Sequence, residues 1–210
     1  MNKFDAFLLK CSKILYPVEI IGKENLPDGA AILICNHFHA LDCFFVAHVS
    51  HKNTFFLAKS ELFKKKFTAK IIRRLGGFPI NRATVDLKAV KTSINLLNDG
   101  NKIVIFPEGT RNKTGTDEIQ TIKGGTAFIA VKAKTPVVPL IIYKKTRIFR
   151  KTRIIVGKPF DFSEYYDKKM SVSETEKMDN IIREKMIETQ KELKAIIENR
   201  RKKVLTDGNT

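Results

Sequence analysis

The sequence has few cysteines, no long apolar run and no low-complexity linker. Its three cysteines, Cys11, Cys35 and Cys43, form no Cys-x-x-Cys pair. So odd and sparse a set argues against a disulfide framework and favours reduced thiols in a cytosolic protein. No stretch approaches the roughly 20 apolar residues of a membrane-spanning helix. Charged residues also interrupt the first apolar segment, so we expect no cleavable signal peptide.

The length and the hydrophobic content fit one domain with an added helix. The chain has 210 residues, of which 43% are hydrophobic, and no internal repeat is visible. We predict a main domain over residues 17–165 and a C-terminal helix with a basic tail over residues 166–210. Residues 1–16 place apolar side chains at helical spacing with lysines between them. This pattern predicts an amphipathic helix that either lies on a bilayer or packs on the core.

Positive charge is in large excess. Lys plus Arg number 39 against 22 Asp plus Glu, which gives a net charge of +17. A surplus of this size bears on partners rather than on the fold, and it indicates nucleic acid, an anionic lipid surface or an acidic or phosphorylated substrate. Much of it lies in Lys64–Lys66 and Lys144–Arg153. No nucleic-acid-binding motif accompanies these runs, so we expect no nucleic-acid partner.

Short apolar strands alternate with amphipathic helices along the main domain. The alternation predicts an α/β fold, a single domain in which helices flank a mixed, mostly parallel central sheet. Finer predictions concern the helix ends. Thr84 should cap a helix that has Asp86 in its first turn, and Ser173 with Glu176 should form a capping box. The basic tail from Arg200 onwards should fray.

A histidine and an aspartate follow the apolar run Ala31–Cys35. His37 and Asp42 are five positions apart, so a single helix or strand would put them on different faces. They can meet only across a turn, and a strand–turn–helix joint is a common place for reactive groups. Asp42 would then orient the His37 ring and leave its other nitrogen to take a proton from a hydroxyl. A helix cap or a solvated ion pair is the structural alternative.

Two further polar clusters also follow predicted strands. Arg82 could bind a phosphate bidentately or form a surface salt bridge. Glu108 could accept hydrogen bonds from a polyol or lock its loop by pairing with an arginine, and Gly109 would let backbone approach a ligand. Lys123, before a predicted helix, could help to bind an anion. Because ligands gather at strand ends in α/β sheets, the clusters together indicate one site.

In combination these clusters resemble the motif blocks of the glycerolipid acyltransferases. The matching blocks are Asn36-His37 with Asp42, Gly77-Phe78-Pro79-Ile80-Asn81-Arg82, Phe106-Pro107-Glu108-Gly109-Thr110-Arg111 and Thr135-Pro136-Val137-Val138-Pro139-Leu140. The resemblance covers roughly residues 18 to 157, and its first and third blocks are the most specific. Within the family it favours the branch that acylates lysophosphatidic acid to phosphatidic acid. One departure is Asn112, where a small serine often follows the third block.

The resemblance implies a role for each motif residue. His37 is the general base that deprotonates the acceptor hydroxyl, and Asp42 holds it. Arg82 grips the acceptor phosphate. Glu108 and Gly109 help to bind the glycerol part, and the other candidate binding residues are Thr110, Arg111 and Lys123.

The chemistry of this family also indicates what the protein needs. The acceptor hydroxyl attacks a thioester directly, so no protein nucleophile is required and the absence of a Gly-x-Ser-x-Gly elbow agrees. The implied partners are lysophosphatidic acid, an acyl-CoA or acyl-carrier protein as donor, and an anionic membrane surface. No cofactor and no metal are expected. The implied location is peripheral or monotopic, at the cytoplasmic face of the cell membrane.

Other interpretations remain open from the sequence. Glycerol-3-phosphate or another lysophospholipid could be the acceptor. His37-x-His39 with Asp42 and Cys43 also fits a metal-dependent hydrolase, although few further ligands follow. The charge alone fits a non-enzymatic basic module that binds a membrane or nucleic acid.

Overall fold

The computed structural model describes residues 15–39, 42–50, 53–81, 83–114 and 116–207. Nearly all of the predicted N-terminal helix over residues 1–16 therefore lies outside the described residues. The strands are β1 (Val18–Ile21), β2 (Ala31–Cys35), β3 (Thr54–Lys59), β4 (Gly77–Ile80), β5 (Lys102–Ile105), β6 (Val137–Ile142) and β7 (Thr152–Val156). The α-helices are α1 (Asp42–Ser50), α2 (Lys66–Arg74), α3 (Leu87–Asn98), α4 (Thr126–Ala133) and α5 (Val172–Asp207).

The strands form one sheet in the order β1-β7-β6-β2-β5-β3-β4. From β4 across to β6 the neighbouring strands are parallel, while β7 is antiparallel to β6 and parallel to β1. The predicted α/β fold with a mixed, mostly parallel sheet is thus confirmed. Because the parallel strands end at the same edge, the segments that follow β2, β4 and β5 share that edge, which we call the carboxyl edge.

The core explains why β2 reads as an uninterrupted apolar run. Ala31, Leu33 and Cys35 pack into a cluster that includes α1, whereas Ile32 and Ile34 pack into the cluster that includes α3, α4 and α5. A parallel strand covered on both faces has no solvent side and therefore no polar positions. Burying each Ile or Leu contributes about 1.5–3 kcal/mol. The residues after Cys35 are consequently held at a fixed place on the carboxyl edge.

The predicted cap of α3 was wrong. Asp86, not Thr84, is the N-cap: its carboxylate accepts the backbone N–H of Ala89 at 2.9 Å, and α3 begins at the next residue. The carboxylate also accepts the backbone N–H of Asn81 at 2.8 Å. Its charge is favourable at the positive end of the helix dipole, so the acidic side chain takes the capping position.

The predictions for both ends of α5 were also wrong. The capping box is formed by Ser171 and Glu174, since Ser171 N–H donates to the Glu174 carboxylate at 2.7 Å and Glu174 N–H to Ser171 Oγ at 3.2 Å. The tail does not fray, because α5 continues through Asp207. Arg200 pairs with Glu19 of β1, which ties the last turns to the sheet. Among the described residues no helix is both long and apolar enough to cross a bilayer.

Candidate active site

A tight turn between β2 and α1 brings His37 and Asp42 together. His37 Nδ1 lies 3.0 Å from Asp42 Oδ2. The same oxygen accepts the backbone N–H groups of Phe38 at 2.6 Å and His39 at 2.7 Å, and Asp42 N–H donates back to His39 C=O at 3.0 Å. These bonds fix the carboxylate inside the turn. A carboxylate only accepts, so Nδ1 carries the hydrogen and Nε2 presents its lone pair.

The pair is buried but not sealed. The side chain of Asp42 has no exposed surface, and that of His37 retains 11%. The His37 ring stacks on Phe106, with ring centroids 4.1 Å apart and planes 25° from parallel. Packing on one face and a hydrogen bond at Nδ1 hold the imidazole in one orientation, as a general base requires.

Asn36 and Asn112 anchor the two sides of the histidine. The Asn36 amide pairs with the backbone of Ile142 in β6, donating to its C=O at 3.0 Å and accepting its N–H at 2.8 Å. Asn112 N–H donates to His37 C=O at 2.7 Å. The Asn112 side chain also donates to the carbonyls of Thr116 and Glu118, each at 3.2 Å. Asn112, which follows the third block, thus holds together the loop that runs on to Glu118.

Glu108 links the end of β5 to the histidine. One carboxylate oxygen accepts His37 N–H and the other accepts Gln120 N–H, both at 3.3 Å. Its burial raises the pKa of this carboxyl, and the two backbone hydrogen bonds act in the opposite direction. These contacts show Glu108 locking the loops around His37 through backbone amides.

Gly109 and Lys123 lie against each other. Gly109 has φ 68°, and a Cβ there would lie 2.8 Å from Lys123 Cδ. Lys123 N–H also donates to Pro107 C=O at 2.8 Å. Any larger residue at position 109 would therefore be strained and would displace the lysine stem.

The candidate binding residues divide between two concavities. Glu108, Thr110 and Lys123 line a cavity of about 460 Å³, together with Arg183 of α5. Arg111 lines a larger groove of about 1200 Å³ that begins at Phe38 and His39, beside the catalytic candidates. The other cations of this groove, which we call the basic groove, are Lys113, Lys144, Lys145, Arg147, Arg150, Lys151, Arg153 and Arg201.

Arg82, the predicted phosphate clamp, lies outside the described residues. Its neighbour Asn81 follows β4 on the carboxyl edge, and β4 is three places from β2 in the sheet. Three strand spacings amount to roughly 14 Å. Within the described residues no group of three His, Cys, Asp or Glu is arranged to hold a metal ion.

Sequence reasoning missed the residues that support the histidine. Asn36 belongs to a matched block, but no role was assigned to it from the sequence. A polar residue directly after an apolar strand could have indicated a buried hydrogen-bonding side chain. Phe106 lay in the third block, and its stacking on His37 depends on β2 and β5 being neighbours, as the structure has them. The Gln120 amide carried no sequence signal.

Comparison with known proteins agrees with these features. An acyltransferase family model matches residues 17–143. The 1-acyl-sn-glycerol-3-phosphate acyltransferase of Bacillus subtilis (strain 168) is 31% identical over 195 residues, which is 88% of this chain and 96% of that protein. A protein of the same name from Borreliella burgdorferi is 30% identical over 155 residues, covering 70% of this chain and 60% of that protein.

A solved structure shares the fold. It is the 1-acyl-sn-glycerophosphate (LPA) acyltransferase PlsC from Thermotoga maritima, 24% identical, with a TM-score of 0.62 over 90% of this chain and 83% of that chain. The family match spans more than half of this chain, and the Bacillus relative is covered almost entirely. The chain belongs to the acyltransferase family.

Proposed function

We propose that the protein transfers a fatty acyl group from a thioester to the free hydroxyl of 1-acyl-sn-glycerol-3-phosphate and so forms phosphatidic acid. The carrying observation is the 3.0 Å contact between His37 Nδ1 and Asp42 Oδ2, which leaves Nε2 for the hydroxyl. The names of the two relatives supply the acceptor. An enzyme that acylates lysophosphatidic acid requires a base, an anion-binding group and an entry for the acyl donor.

His37 would remove the hydroxyl proton as the oxygen attacks the thioester carbonyl. The new C–O bond forms, the C–S bond breaks, and the departing thiolate takes the proton from the imidazolium. Asp42 would stabilise that imidazolium through Nδ1 while it exists. General-base catalysis of this kind contributes about 10²–10⁴-fold, and holding both substrates in place supplies more.

The acceptor would be held on both sides of His37. In this proposal Arg82 binds the phosphate, and the glycerol part lies near Glu108, Gly109 and Thr110, with Lys123 facing the same cavity and Arg111 supporting from the basic groove. Glu108 would act mainly by fixing the His37 backbone, because its observed hydrogen bonds go to amides.

The donor would enter through the basic groove. Acyl-CoA and acyl-carrier protein both bring a phosphopantetheine thioester and further negative charge. The nine Lys and Arg residues that line this groove exceed what one acceptor phosphate requires, and the groove starts next to His37. The donor is a second substrate, so the proposed reaction needs no bound cofactor. The enzyme would work as a peripheral protein on the cytoplasmic face of an anionic membrane.

An acyl-transfer assay tests this proposal. Lysophosphatidic acid, glycerol-3-phosphate and other lysophospholipids are each offered with acyl-CoA and with acyl-carrier-protein donors. We expect the highest kcat/KM with lysophosphatidic acid and at least a 10²-fold loss in His37→Ala, with an unchanged far-ultraviolet circular dichroism spectrum. Full activity in folded His37→Ala would refute the catalytic role.

Arg82→Lys tests the clamp separately. A point charge replaces a guanidinium fork, so the KM for lysophosphatidic acid should rise by about tenfold with a small change in kcat. Arg74→Lys, at the far end of α2, is the matched control and should leave the KM as it is. An unchanged KM in Arg82→Lys would show that Arg82 does not bind the phosphate, and it would leave the role of His37 unaffected.

A further inference from the structure

We propose that the carboxyl edge docks onto an anionic bilayer and that the Ile148–Phe149 tip of the β6–β7 loop enters the lipid. The inference rests on the proposed function for the lipid nature of the substrate, and it names the part of the protein that meets the membrane. Ile148 and Phe149 are 57% and 73% exposed. Two large apolar side chains side by side on a loop tip are unusual in a protein that meets only water.

Backbone hydrogen bonds hold the Ile148–Phe149 tip in place. Phe149 N–H donates to Leu15 C=O at 2.7 Å, and Arg150 N–H to Arg147 C=O at 3.2 Å. Phe149 has φ 57°, a left-handed conformation that bulky residues rarely adopt. The chain thus places an aromatic ring outward where glycine would fit the backbone better, and such outliers often mark functional positions.

The charge around the tip matches an anionic surface. The segment Lys144–Arg153 contains six Lys or Arg residues and no Asp or Glu.

 The six cations, counted with both ends of the segment, are Lys144, Lys145, Arg147, Arg150, Lys151 and Arg153. Basic side chains around an apolar tip are the pattern of proteins that bind anionic lipid, because the cations meet the head groups while the tip enters the acyl region.

A second apolar projection lies on the other side of the site. Leu62, in a short 3₁₀ turn that follows β3, is 47% exposed, and Phe67, in the first turn of α2, is 76% exposed. Both lie at the carboxyl edge, since the turn follows the end of β3 and α2 returns from there to the start of β4. Lys64–Lys66 lie between them. This projection and the β6–β7 tip flank β2 and β5, whose ends carry His37 and Glu108. Docking on both would turn the site towards the lipid.

A bilayer fits this surface better than a second copy of the chain. Two copies would bring the same basic runs together at a net charge of +17 each, and like charges repel. An anionic bilayer complements the cations and solvates the apolar side chains at the same time.

The absence of tryptophan from the sequence provides a direct test. Phe149→Trp gives the full chain one tryptophan at the tip. Val172→Trp gives one at the start of α5, five residues after Asp167, which pairs with Lys134 just before the start of β6. Val172 is 78% exposed, so it is a matched surface control. Each protein is mixed with phosphatidylcholine vesicles that contain phosphatidylglycerol, with and without brominated acyl chains. We expect a blue shift and at least threefold stronger quenching for Phe149→Trp than for Val172→Trp.

The same measurement in a His37→Ala background separates docking from catalysis, because insertion should persist when turnover is lost. Absence of vesicle binding, or equal quenching at the two positions, would overturn the proposal. A blue shift without vesicles that grows with protein concentration would instead indicate self-association and would also overturn it.

Phe149→Gly keeps the test independent of folding. Glycine accepts the left-handed backbone, so the variant should melt no lower than the parent protein. Its partition into the anionic vesicles should fall about tenfold, because the buried ring is lost. Activity on a short-chain acceptor dissolved as monomers should be unchanged. An unchanged partition would show that the ring does not enter the lipid.

Discussion

Two aspartates, one fully buried and one half-buried, show how differently this fold treats the same side chain. Asp42 lies in the turn between β2 and α1. Its Oδ2 accepts hydrogen bonds from the backbone N–H groups of Phe38 and His39 and from the His37 ring. Asp179 of α5 lies against the turn before α4, where a Cβ on Gly124 would be 3.2 Å from its Oδ2. Within the described part of the chain, no hydrogen bond or ion pair reaches the Asp179 side chain. Burial alone raises the pKa of Asp179 to about 6.

The difference teaches that burial by itself does not make a carboxylate functional. Among the described residues, both aspartates leave Oδ1 buried without a partner. What distinguishes Asp42 is the set of donors on its other oxygen, which offsets desolvation and aims the charge at the imidazole. Removing the charge should therefore cost activity at Asp42 and improve stability at Asp179.

The largest effect is expected for Asp42→Asn. The amide oxygen can still accept the turn amides, but no charge remains to stabilise the imidazolium. We expect kcat to fall by about 10²–10⁴-fold with little change in KM. Steady-state kinetics with lysophosphatidic acid measures this.

Asp42→Ala is the companion variant that separates charge from structure. It leaves buried backbone N–H groups without acceptors, and each costs about 1–3 kcal/mol. The variant should therefore lose activity and also have a lower melting temperature. If Asp42→Asn kept the parent kcat, Asp42 would be a structural cap like any other, and the contrast with Asp179 would disappear.

A smaller effect is expected for Glu108→Gln, which probes the buried carboxyl of Glu108. The glutamine NH₂ group must face one of the two amides that Glu108 accepts, from His37 or Gln120. One hydrogen bond is lost, and we expect a destabilisation of about 1–2 kcal/mol. The looser histidine should lower kcat by about tenfold.

Urea denaturation and kinetics measure both quantities for Glu108→Gln. Glu118→Gln removes an exposed carboxylate from the same loop and should change stability by less than about 0.5 kcal/mol. Equal effects of the two variants would mean that the Glu108 contacts do not hold the histidine.

The part of the site that spacing determines was predictable from the sequence. His37 and Asp42 cannot meet on one helix or strand, so an apolar strand before them and a helix after them require a turn. The parallel sheet was predictable because apolar runs alternate with amphipathic helices. Both inferences use periodicity, which one stretch of chain carries by itself.

The unpredicted part depends on contacts between distant segments. The partners of Glu108 and the stacking of Phe106 on His37 follow from β5 lying beside β2. Helix starts were misplaced where several capping residues lie close together: Thr84 competes with Asp86, and Ser173 with Ser171. The partial burial of Asp179 follows from the packing of α5 on the segment before α4, which no local pattern encodes.

The smallest effect is expected for Asp179→Asn, and its sign is opposite to the others. A carboxyl whose pKa rises from 3.8 to about 6 on folding favours the fold below pH 4, and that contribution is lost as the pH rises through about 6. The full shift corresponds to about 3 kcal/mol, and partial exposure reduces it to about 1 kcal/mol. Urea denaturation followed by circular dichroism should thus show Asp179→Asn about 1 kcal/mol more stable than the parent at pH 7 and equal to it at pH 4.

Asp161→Asn provides the reverse control. The Ser163 amide lowers the pKa of Asp161, so removing the Asp161 charge should destabilise the protein at pH 7. A loss of stability in Asp179→Asn at pH 7 would mean that this aspartate has a partner of its own, as Asp42 does.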